Sequence, residues 1–298
     1  MAKVDLEQAL EAAKSAAVVG GREVCRYFPS PPKPKRIRKD RPPQIRPDRK
    51  ANLRILHTLA EKLDGHKIPH VVSEEGIRGK SRRVLKEGVD EEYCWYIDPM
   101  DNSSTESPTG YAISIGLVDP FGIPVIAAIY LPLEEGYELF WAKQDEGAYV
   151  QFSQGQPSRI RVSDRSEMKN IRVAKGGRND PTCVNVYDNV RISRDNEHRL
   201  IIPGGVRKGV EIARGGLDGW LACNGYDTHD ICAAVCLVRE AGGKVTYASG
   251  EDVLFPNPYE ARHEGVFWSN GQLRDLEEEI TDNTLVKKLR GRFHDSEG

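Results

Sequence analysis

The chain has 298 residues, of which 39% are hydrophobic and 30% charged, and its formal net charge is −2. This balance is typical of a soluble globular protein and excludes a disordered chain. The chain as a whole also lacks the net positive charge that is typical of nucleic-acid-binding proteins. The six cysteines form no Cys-x-x-Cys pair, and no secretion signal or membrane-length apolar run is found, so we expect a cytoplasmic protein without disulfides or a membrane partner.

Two helices are predicted near the N-terminus. Apolar residues recur at helical spacing from Leu6 to about Val24, which predicts the first helix. A second helix is predicted to begin after Pro47, with Asp48 as its cap. Its leucines are expected to form one buried stripe, made of Leu53, Leu56, Leu59 and Leu63. Residues 29–50 are rich in proline, lysine and arginine, and no regular structure is expected there.

Beyond Val71 the chain is expected to be rich in β-strands. Short apolar runs separated by turn residues occupy positions 93–97, 112–118, 124–130 and 137–141. A hairpin turn is predicted at residues 145–147. Further helices are predicted from about Val206 to Arg214 and from Ile231 to Glu240. The irregular alternation of strands and helices favours layered α/β (α+β) structure over a simple doubly wound sheet.

Acidic residues follow three of the apolar runs. The three segments are Ser73-Glu74-Glu75, Asp98-Pro99-Met100-Asp101-Asn102-Ser103-Ser104 and His229-Asp230. A proline after Asp98 fixes a bend, which is expected to bring the carboxylates of Asp98 and Asp101 into one turn. Close carboxylates raise each other's pKa unless a cation lies between them. Oxygen ligands without histidine or cysteine suit Mg²⁺ rather than zinc.

Each segment taken singly also has a purely structural explanation. Asp-Pro and Asp-Asn are common turn dipeptides, and Glu74-Glu75 is typical of a solvated loop. Asp230 is explained equally well as a first-turn acid that complements a helix dipole. The combination of the three segments, each at the end of an apolar run, is what indicates a site.

Together these motifs resemble the inositol monophosphatase superfamily. Its members carry Gly/Ser-Glu-Glu, then Asp-Pro-x-Asp-Gly-Thr, then Trp-Asp opening a helix that runs into Glu-Ala-Gly-Gly, which here is Glu240-Ala241-Gly242-Gly243. The resemblance covers residues 50–245 and implies a sugar-phosphatase-like αβαβα sandwich. It further implies one compact catalytic unit, with Glu74 and the Asp98–Asp101 motif in an N-terminal half (1–155) and Asp230 in a C-terminal half (156–298).

The activity that this resemblance implies is that of a Mg²⁺-dependent phosphomonoesterase with two or three metal ions. Glu74, Asp98 and the Met100 carbonyl would hold one ion. Asp98, Asp101 and Asp230 would hold a second. The partner would be a small-molecule phosphate ester, with no nucleic acid, and a homodimer remains open.

The resemblance also assigns residues to catalysis and to phosphate binding. Ser103 and Glu74 would activate the attacking water, and Asp101 is expected to be catalytic as well as a metal ligand. The backbone N–H groups of Asn102 and Ser103, at a helix start, would bind the phosphate. The adjacent Ser104 and the distant Lys208 are the other expected substrate-binding residues.

Four residues differ from the family pattern. Asn102 replaces a glycine, Ser103 replaces a threonine, and Cys223 stands where inositol-specific members have a glutamate. His229 replaces a tryptophan, a change expected to alter the packing beside Asp230 more than metal binding.

Three substrate classes therefore remain open: an inositol phosphate, a sugar phosphate and a nucleotide 3',5'-bisphosphate. Two features resemble the branch of the superfamily that acts on adenosine 3',5'-bisphosphate: Ser73-Glu74-Glu75, and Lys208 ahead of Ile212-Ala213-Arg214-Gly215. The basic segment 31–50 would suit a second phosphate, but its charge is equally typical of a solvated loop.

Two alternatives to a phosphatase remain. One is a catalytically silent relative that binds a phosphorylated ligand, because Asn102 and Ser103 depart from the motif. The other is a nucleic-acid-binding module that uses the basic segment. The near-neutral charge and the lack of stacking aromatic residues in that segment disfavour the second alternative.

Overall fold

A computed structural model describes residues 4–28, 47–63, 69–75, 90–103, 105, 107–167, 170–174, 199–200, 202–222, 225–255 and 262–282. Its helices are α1 (Leu6–Cys25), α2 (Pro47–Lys62), α3 (Gly205–Ala213), α4 (Thr228–Glu240) and α5 (Arg274–Asp282). Seven strands form the first sheet: β1 (Pro69–Ser73), β2 (Asp90–Asp101), β3 (Ala112–Val118), β4 (Pro124–Pro132), β5 (Tyr137–Lys143), β6 (Gly147–Phe152) and β7 (Ser158–Ile160). The remaining strands are β8 (Val173–Ala174), β9 (Arg199–Leu200), β10 (Gly219–Ala222), β11 (Tyr226–Asp227), β12 (Lys244–Tyr247), β13 (Arg262–His263) and β14 (Val266–Ser269).

The two N-terminal helices are present, but two details of the second were predicted wrongly. Helix α2 already begins at Pro47, so Asp48 lies in its first turn instead of capping it; proline is favoured at the first helical position. Leu53 is 59% exposed and does not join the buried stripe. A helix advances by about 100° per residue, which places Leu53 about 120° around the axis from the buried Leu59. No regular structure was expected at residues 29–50; residues 29–46 lie outside the described residues, and for residues 47–50 the prediction was wrong, because they form the first turn of α2.

The first sheet contains all the predicted strands in chain order. β1 pairs in parallel with β2, and every later neighbour pairs antiparallel. The hairpin predicted at residues 145–147 joins β5 to β6, with Asp145 at φ 64. The predicted tight turn between Asp98 and Asp101 was wrong, because β2 continues through Asp101. The register with β3 shifts between these residues, so the strand is bulged there instead of reversing.

Two hydrophobic cores lie on the two faces of the first sheet. Helices α1 and α2 pack against one face of the first sheet through one core, which includes Ala13, Ile55 and Ile113. The second core joins the other face of that sheet to α3, α4 and a second sheet of order β12-β14-β10-β8-β9. Helix α5, which the sequence did not predict, lies against this second sheet, where its Glu277 accepts hydrogen bonds from Lys244 of β12 and Ser269 of β14. The architecture is the expected αβαβα sandwich.

Helix α4 lies between the two sheets and positions its first turn at their edge. Its buried residues include Cys232 and Cys236, as expected for small core residues. Gly116 on β3 permits this close approach, since a Cβ atom there would lie 2.6 Å from the Cys232 sulfur. The helix is capped by Asp227 and ends before Gly242, whose φ is 92°. None of the described helices is both long and apolar enough to cross a bilayer.

Candidate active site

Four acidic side chains from three separate segments meet at the edge of the first sheet. Glu74 follows β1, Asp98 and Asp101 lie in β2, and Asp230 lies in the first turn of α4. Because β1 runs parallel to β2, the Glu74 N–H donates to the Ile97 carbonyl, 3.2 Å away, which places Glu74 beside Asp98. The position of α4 between the sheets adds Asp230 to the group.

Asp98 lies at the centre of this acidic cluster. Its side chain is buried, and its Oδ1 atom accepts a hydrogen bond of 2.9 Å from the Met100 N–H. Burial raises the pKa of Asp98 well above its usual value, and the charges of Asp101, Asp230 and Glu74 raise it further. The metal-free site therefore resists ionisation of this carboxyl group.

Asp101 and Glu74 are perturbed in the same direction. Burial and the charge of Asp230 raise the pKa of Asp101 to about 6, while Lys208 and the Val206 N–H oppose the shift. Burial is also the main cause of the raised pKa of Glu74, to which Glu75 and Asp230 contribute. Three carboxyl groups thus have raised pKa values, because they are buried close together and the nearby positive charge does not compensate their negative charges.

A divalent cation would supply the missing charge. The oxygen atoms of Glu74, Asp98, Asp101 and Asp230 are the kind of donor that hard cations bind, so the residues present fit a metal ion. Among the described residues, Asp227, His229 and Asp230 form a further group whose possible ligand atoms all lie within 4.8 Å of one another.

The segment after Asp101 forms a turn. Asn102 has a φ of 62°, and its Nδ2 donates to the Gly110 carbonyl, 2.7 Å away. The Thr105 N–H donates to the Asn102 carbonyl, and Ser103 between them is exposed. The described residues 102–103, 105 and 107–110 contain no helix, so the helix start expected at Asn102 is absent from them. Ser104 lies outside the described residues.

Lys208 lies behind the acidic cluster, in α3. It is buried, its Nζ donates to the Gly204 carbonyl 3.0 Å away, and the same atom lies 4.8 Å from the centre of the Trp220 ring. Its charge acts on Asp101, whose pKa it lowers. Lys208 is therefore close to a carboxylate of the cluster although it is 107 positions away in sequence.

Other contributors carried no recognisable sequence signal. Arg207 donates to the carbonyls of Thr109 and Tyr111, the latter 3.0 Å away, and so ties α3 to the chain that follows Asp101. Tyr226 is near the acidic cluster: burial raises the pKa of its hydroxyl, and the charges of Asp101 and Asp230 raise it further. Neither residue belongs to a motif, and only the folded chain brings them to the site.

Glu75 is held at the rim of the site by a basic residue. Its Oε2 atom lies 3.0 Å from Arg49 Nε, and its side chain is 8% exposed against 59% for Arg49. Lys50, the next residue of α2, has its Nζ 5.2 Å from the centre of the Tyr27 ring. Positive charge from the start of α2 thus borders the acidic cluster.

Comparisons with known proteins show the family that this chain resembles. The family model described as the inositol monophosphatase family matches residues 5–285. A putative Nus factor SuhB from Neisseria meningitidis is 30% identical over 220 residues, which are 69% of this chain and 73% of that protein. A fructose-1,6-bisphosphatase/inositol-1-monophosphatase from Aquifex aeolicus is 28% identical over 81% of this chain and 86% of its own length.

Solved structures share the fold. An inositol monophosphatase from Zymomonas mobilis superposes with a TM-score of 0.70 at 17% identity, covering 96% of this chain and all of that one. The inositol monophosphatase of Anabaena gives a TM-score of 0.66 at 23% identity, covering 93% of this chain and 96% of that one. At these identities the likeness supports the fold alone.

Proposed function

Since the chain belongs to the inositol monophosphatase family and is a phosphatase, we propose that it is a Mg²⁺-dependent phosphomonoesterase acting on a small phosphorylated metabolite. The observation that carries this proposal is the acidic cluster of Glu74, Asp98, Asp101 and Asp230. Burial and mutual repulsion raise the pKa of three of these carboxyl groups. A protein that kept such a cluster without a cation would lose stability for no structural gain.

Two or three Mg²⁺ ions would be held by these carboxylates and by the Met100 carbonyl. When bound, the metal lowers the pKa of water and neutralises charge on the phosphate ester. The carboxylates would orient the ions. The register shift in β2 supports the proposal, because two residues three positions apart in a regular strand would lie on opposite faces of the sheet. Mn²⁺ is a plausible replacement, whereas the larger Ca²⁺ should inhibit.

Proton transfer is assigned to Ser103 and Glu74. A raised pKa brings Glu74 closer to the operating pH, which suits a residue that takes a proton from water. Ser103 is exposed next to Asp101, so its hydroxyl is accessible to a substrate. The N–H groups of Asn102 and Ser103 would bind the phosphate, with Ser104 as a further contact.

We assign the substrate to a class of small phosphate esters that includes inositol phosphates, sugar phosphates and nucleotide 3',5'-bisphosphates. Lys208 would act through Asp101 or on a substrate oxygen, since its charge already influences Asp101. The division into halves at residue 155, a homodimer and a cytoplasmic location stay predictions.

Phosphate release from a panel of substrates tests the proposal. The panel contains inositol phosphates, adenosine 3',5'-bisphosphate, fructose bisphosphate and histidinol phosphate, each with Mg²⁺ and after chelation. We expect release from at least one substrate, lost on chelation and in Asp98→Asn. Full activity after thorough chelation would refute the metal mechanism.

A silent relative would give a different result. Binding of a panel member without any release, by a protein that still binds Mg²⁺, would identify a phosphate-ligand-binding protein. The retention of all four carboxylates disfavours this alternative. Salt-sensitive binding of an oligonucleotide would instead support the basic segment as a nucleic-acid contact.

A further inference from the structure

His229 is one of the four positions at which the chain departs from the family motif, and it lies beside Asp230 of the acidic cluster. Its side chain is buried, and its Nε2 atom lies 3.3 Å from Asp230 Oδ1. One ligand atom each of Asp227, His229 and Asp230 lies within 4.8 Å of the other two. An imidazole nitrogen is thus already at the distance from a carboxylate at which two groups can share one ion.

The ring also acts on carboxylates from other elements. A charge on His229 lowers the pKa of Glu74, which follows β1, and of Asp98, which lies in β2. Charges in a protein act strongly only over short distances. The ring is therefore near the carboxylates of the first sheet as well as its own neighbour in α4.

A nitrogen among oxygen ligands changes which ions are favoured. Mg²⁺ prefers oxygen ligands and keeps several of its waters, whereas imidazole suits first-row transition ions such as Fe²⁺ and Zn²⁺. Mn²⁺ binds well to oxygen but, as a transition ion, accepts a nitrogen ligand more readily than Mg²⁺ does. The tryptophan that the family motif carries at this position has no nitrogen lone pair available for a metal. This single replacement would add a nitrogen donor to an otherwise hard site.

The carboxylate of Asp227 lies close enough to His229 and Asp230 to be the third ligand of the same ion. Its carboxylate accepts the Asp230 N–H in the helix cap, and one oxygen lies 3.5 Å from Arg262 Nη1. These contacts fix the orientation of the carboxylate but use only part of its lone pairs. The Asp227 N–H in turn donates to Asp230 Oδ2, 2.8 Å away, so the backbone holds Asp230 as well.

We propose that a nitrogen of His229 is a metal ligand, sharing an ion with Asp230 and Asp227, and that this nitrogen raises the affinity of the site for Mn²⁺ or another first-row transition ion while leaving its affinity for Mg²⁺ nearly unchanged. The inference rests on the proposed function, because Asp230 is also assigned to the Mg²⁺-binding cluster. It changes the expectation from the sequence that replacing tryptophan by histidine would affect packing more than metal binding.

Pulsed electron paramagnetic resonance of Mn²⁺ bound to the full chain tests the ligand directly. A directly bound imidazole gives a ¹⁴N coupling to the Mn²⁺ electron spin. We expect that coupling in the unmodified protein, its loss in His229→Gln and His229→Trp, and its retention in His57→Gln. His57 is the matched control because it is an exposed histidine in α2, 69% exposed in its side chain.

Calorimetry with Mn²⁺ and with Mg²⁺ supplies the second readout. In His229→Gln the affinity for Mn²⁺ should fall by about 10-fold or more while that for Mg²⁺ changes little.

If both variants unfold, the spectrum of the unmodified protein still decides. Mn²⁺ bound without ¹⁴N coupling would overturn the inference and leave the proposed function intact. If no divalent ion binds, both fail. If His229→Gln binds both ions more tightly, His229 acts as an internal cation and the inference is wrong.

Discussion

The N–H of Val206 donates to Oδ2 of Asp101 across 3.2 Å, which joins the first turn of α3 to the end of β2. The preceding Gly204 has φ 79° and ψ 151°, a conformation that is essentially restricted to glycine. A Cβ atom at Gly204 would lie 2.4 Å from the same Asp101 oxygen. The backbone before α3 therefore touches a proposed metal ligand at a point where no side chain fits.

Gly204→Ala should impair the site more than the fold. Backbone strain at such a residue costs about 1 to 3 kcal/mol, and the added methyl group must displace the Asp101 carboxylate. We expect a lower melting temperature together with weaker Mg²⁺ binding and slower phosphate release.

Gly250→Ala is the matched control for this variant. Gly250 also has a positive φ, 88°, but a Cβ atom there meets nothing within 4 Å. The Gly250→Ala variant should be less stable than the unmodified protein but should bind Mg²⁺ with normal affinity. Equal Mg²⁺ affinity in both alanine variants would show that the contact with Asp101 does not matter to the metal.

Removing one acidic charge should stabilise the metal-free protein. Asp98 is buried and its pKa is raised by burial and by Asp101, Asp230 and Glu74, so Asp98→Asn relieves repulsion without changing the side-chain size. The melting temperature without metal should rise or stay unchanged. The increase that Mg²⁺ provides should shrink, because stabilisation by a ligand follows its affinity for the folded state.

Asp230→Asn separates two explanations of the helix-start acid. As a metal ligand, Asp230 should be needed for most of the activity and for most of the Mg²⁺-induced stabilisation. As a capping residue alone, its loss should cost about 1 kcal/mol of stability and leave the rate nearly unchanged. Its side chain does complete the capping box with Asp227, so melting with and without Mg²⁺ must accompany the initial rates.

The sequence predicted the four strands β2 to β5 well and the geometry around the carboxylates less well. β3 has the predicted bounds because its seven residues are all buried, and such apolar runs leave little choice of structure. Asp98-Pro99 was interpreted as a turn, since proline and aspartate favour turns locally. Pairing of β2 with both β1 and β3 outweighs that local preference and extends the strand through Asp101.

Long-range contacts explain the remaining differences. Nothing local to Val206 indicates that its N–H will reach Asp101, because the two residues are 105 positions apart. The inward direction of His229 depends on how α4 lies between the two sheets, which a sequence motif does not contain. Motifs therefore identified the carboxylates, and the packing of α3 and α4 supplied their neighbours.

The stability of the metal-free protein should depend on pH through Asp101. Its pKa is about 6 in the folded chain and near 4 when unfolded, so the folded state binds more protons between these values. By linkage, this group makes the metal-free protein less stable as pH rises from 4 through 6. The difference in unfolding free energy between the unmodified protein and Asp101→Asn, measured over that range, isolates the effect. Added Mg²⁺ should stabilise increasingly with pH, since protons compete for the same oxygens. A difference that does not vary with pH would contradict the assignment.

The last prediction concerns the hydroxyl of Ser103. We expect Ser103→Ala to lower turnover by about 10²-fold or more, the usual scale for losing a group that handles a proton. Because Ser103 is exposed in a turn, removing its hydroxyl should change the free energy of unfolding by no more than about 0.5 kcal/mol. Mg²⁺ affinity should also change little, since the carboxylates stay in place.

Ser103→Thr keeps the hydroxyl and restores the residue of the family motif, so it should be active. Ser107→Ala, at another exposed serine of the same segment, serves as the matched control and should turn over normally. The hydroxyl acts in catalysis only if alanine at position 103 reduces kcat while threonine does not. Normal turnover in Ser103→Ala would mean that Glu74 and the metal activate water without it.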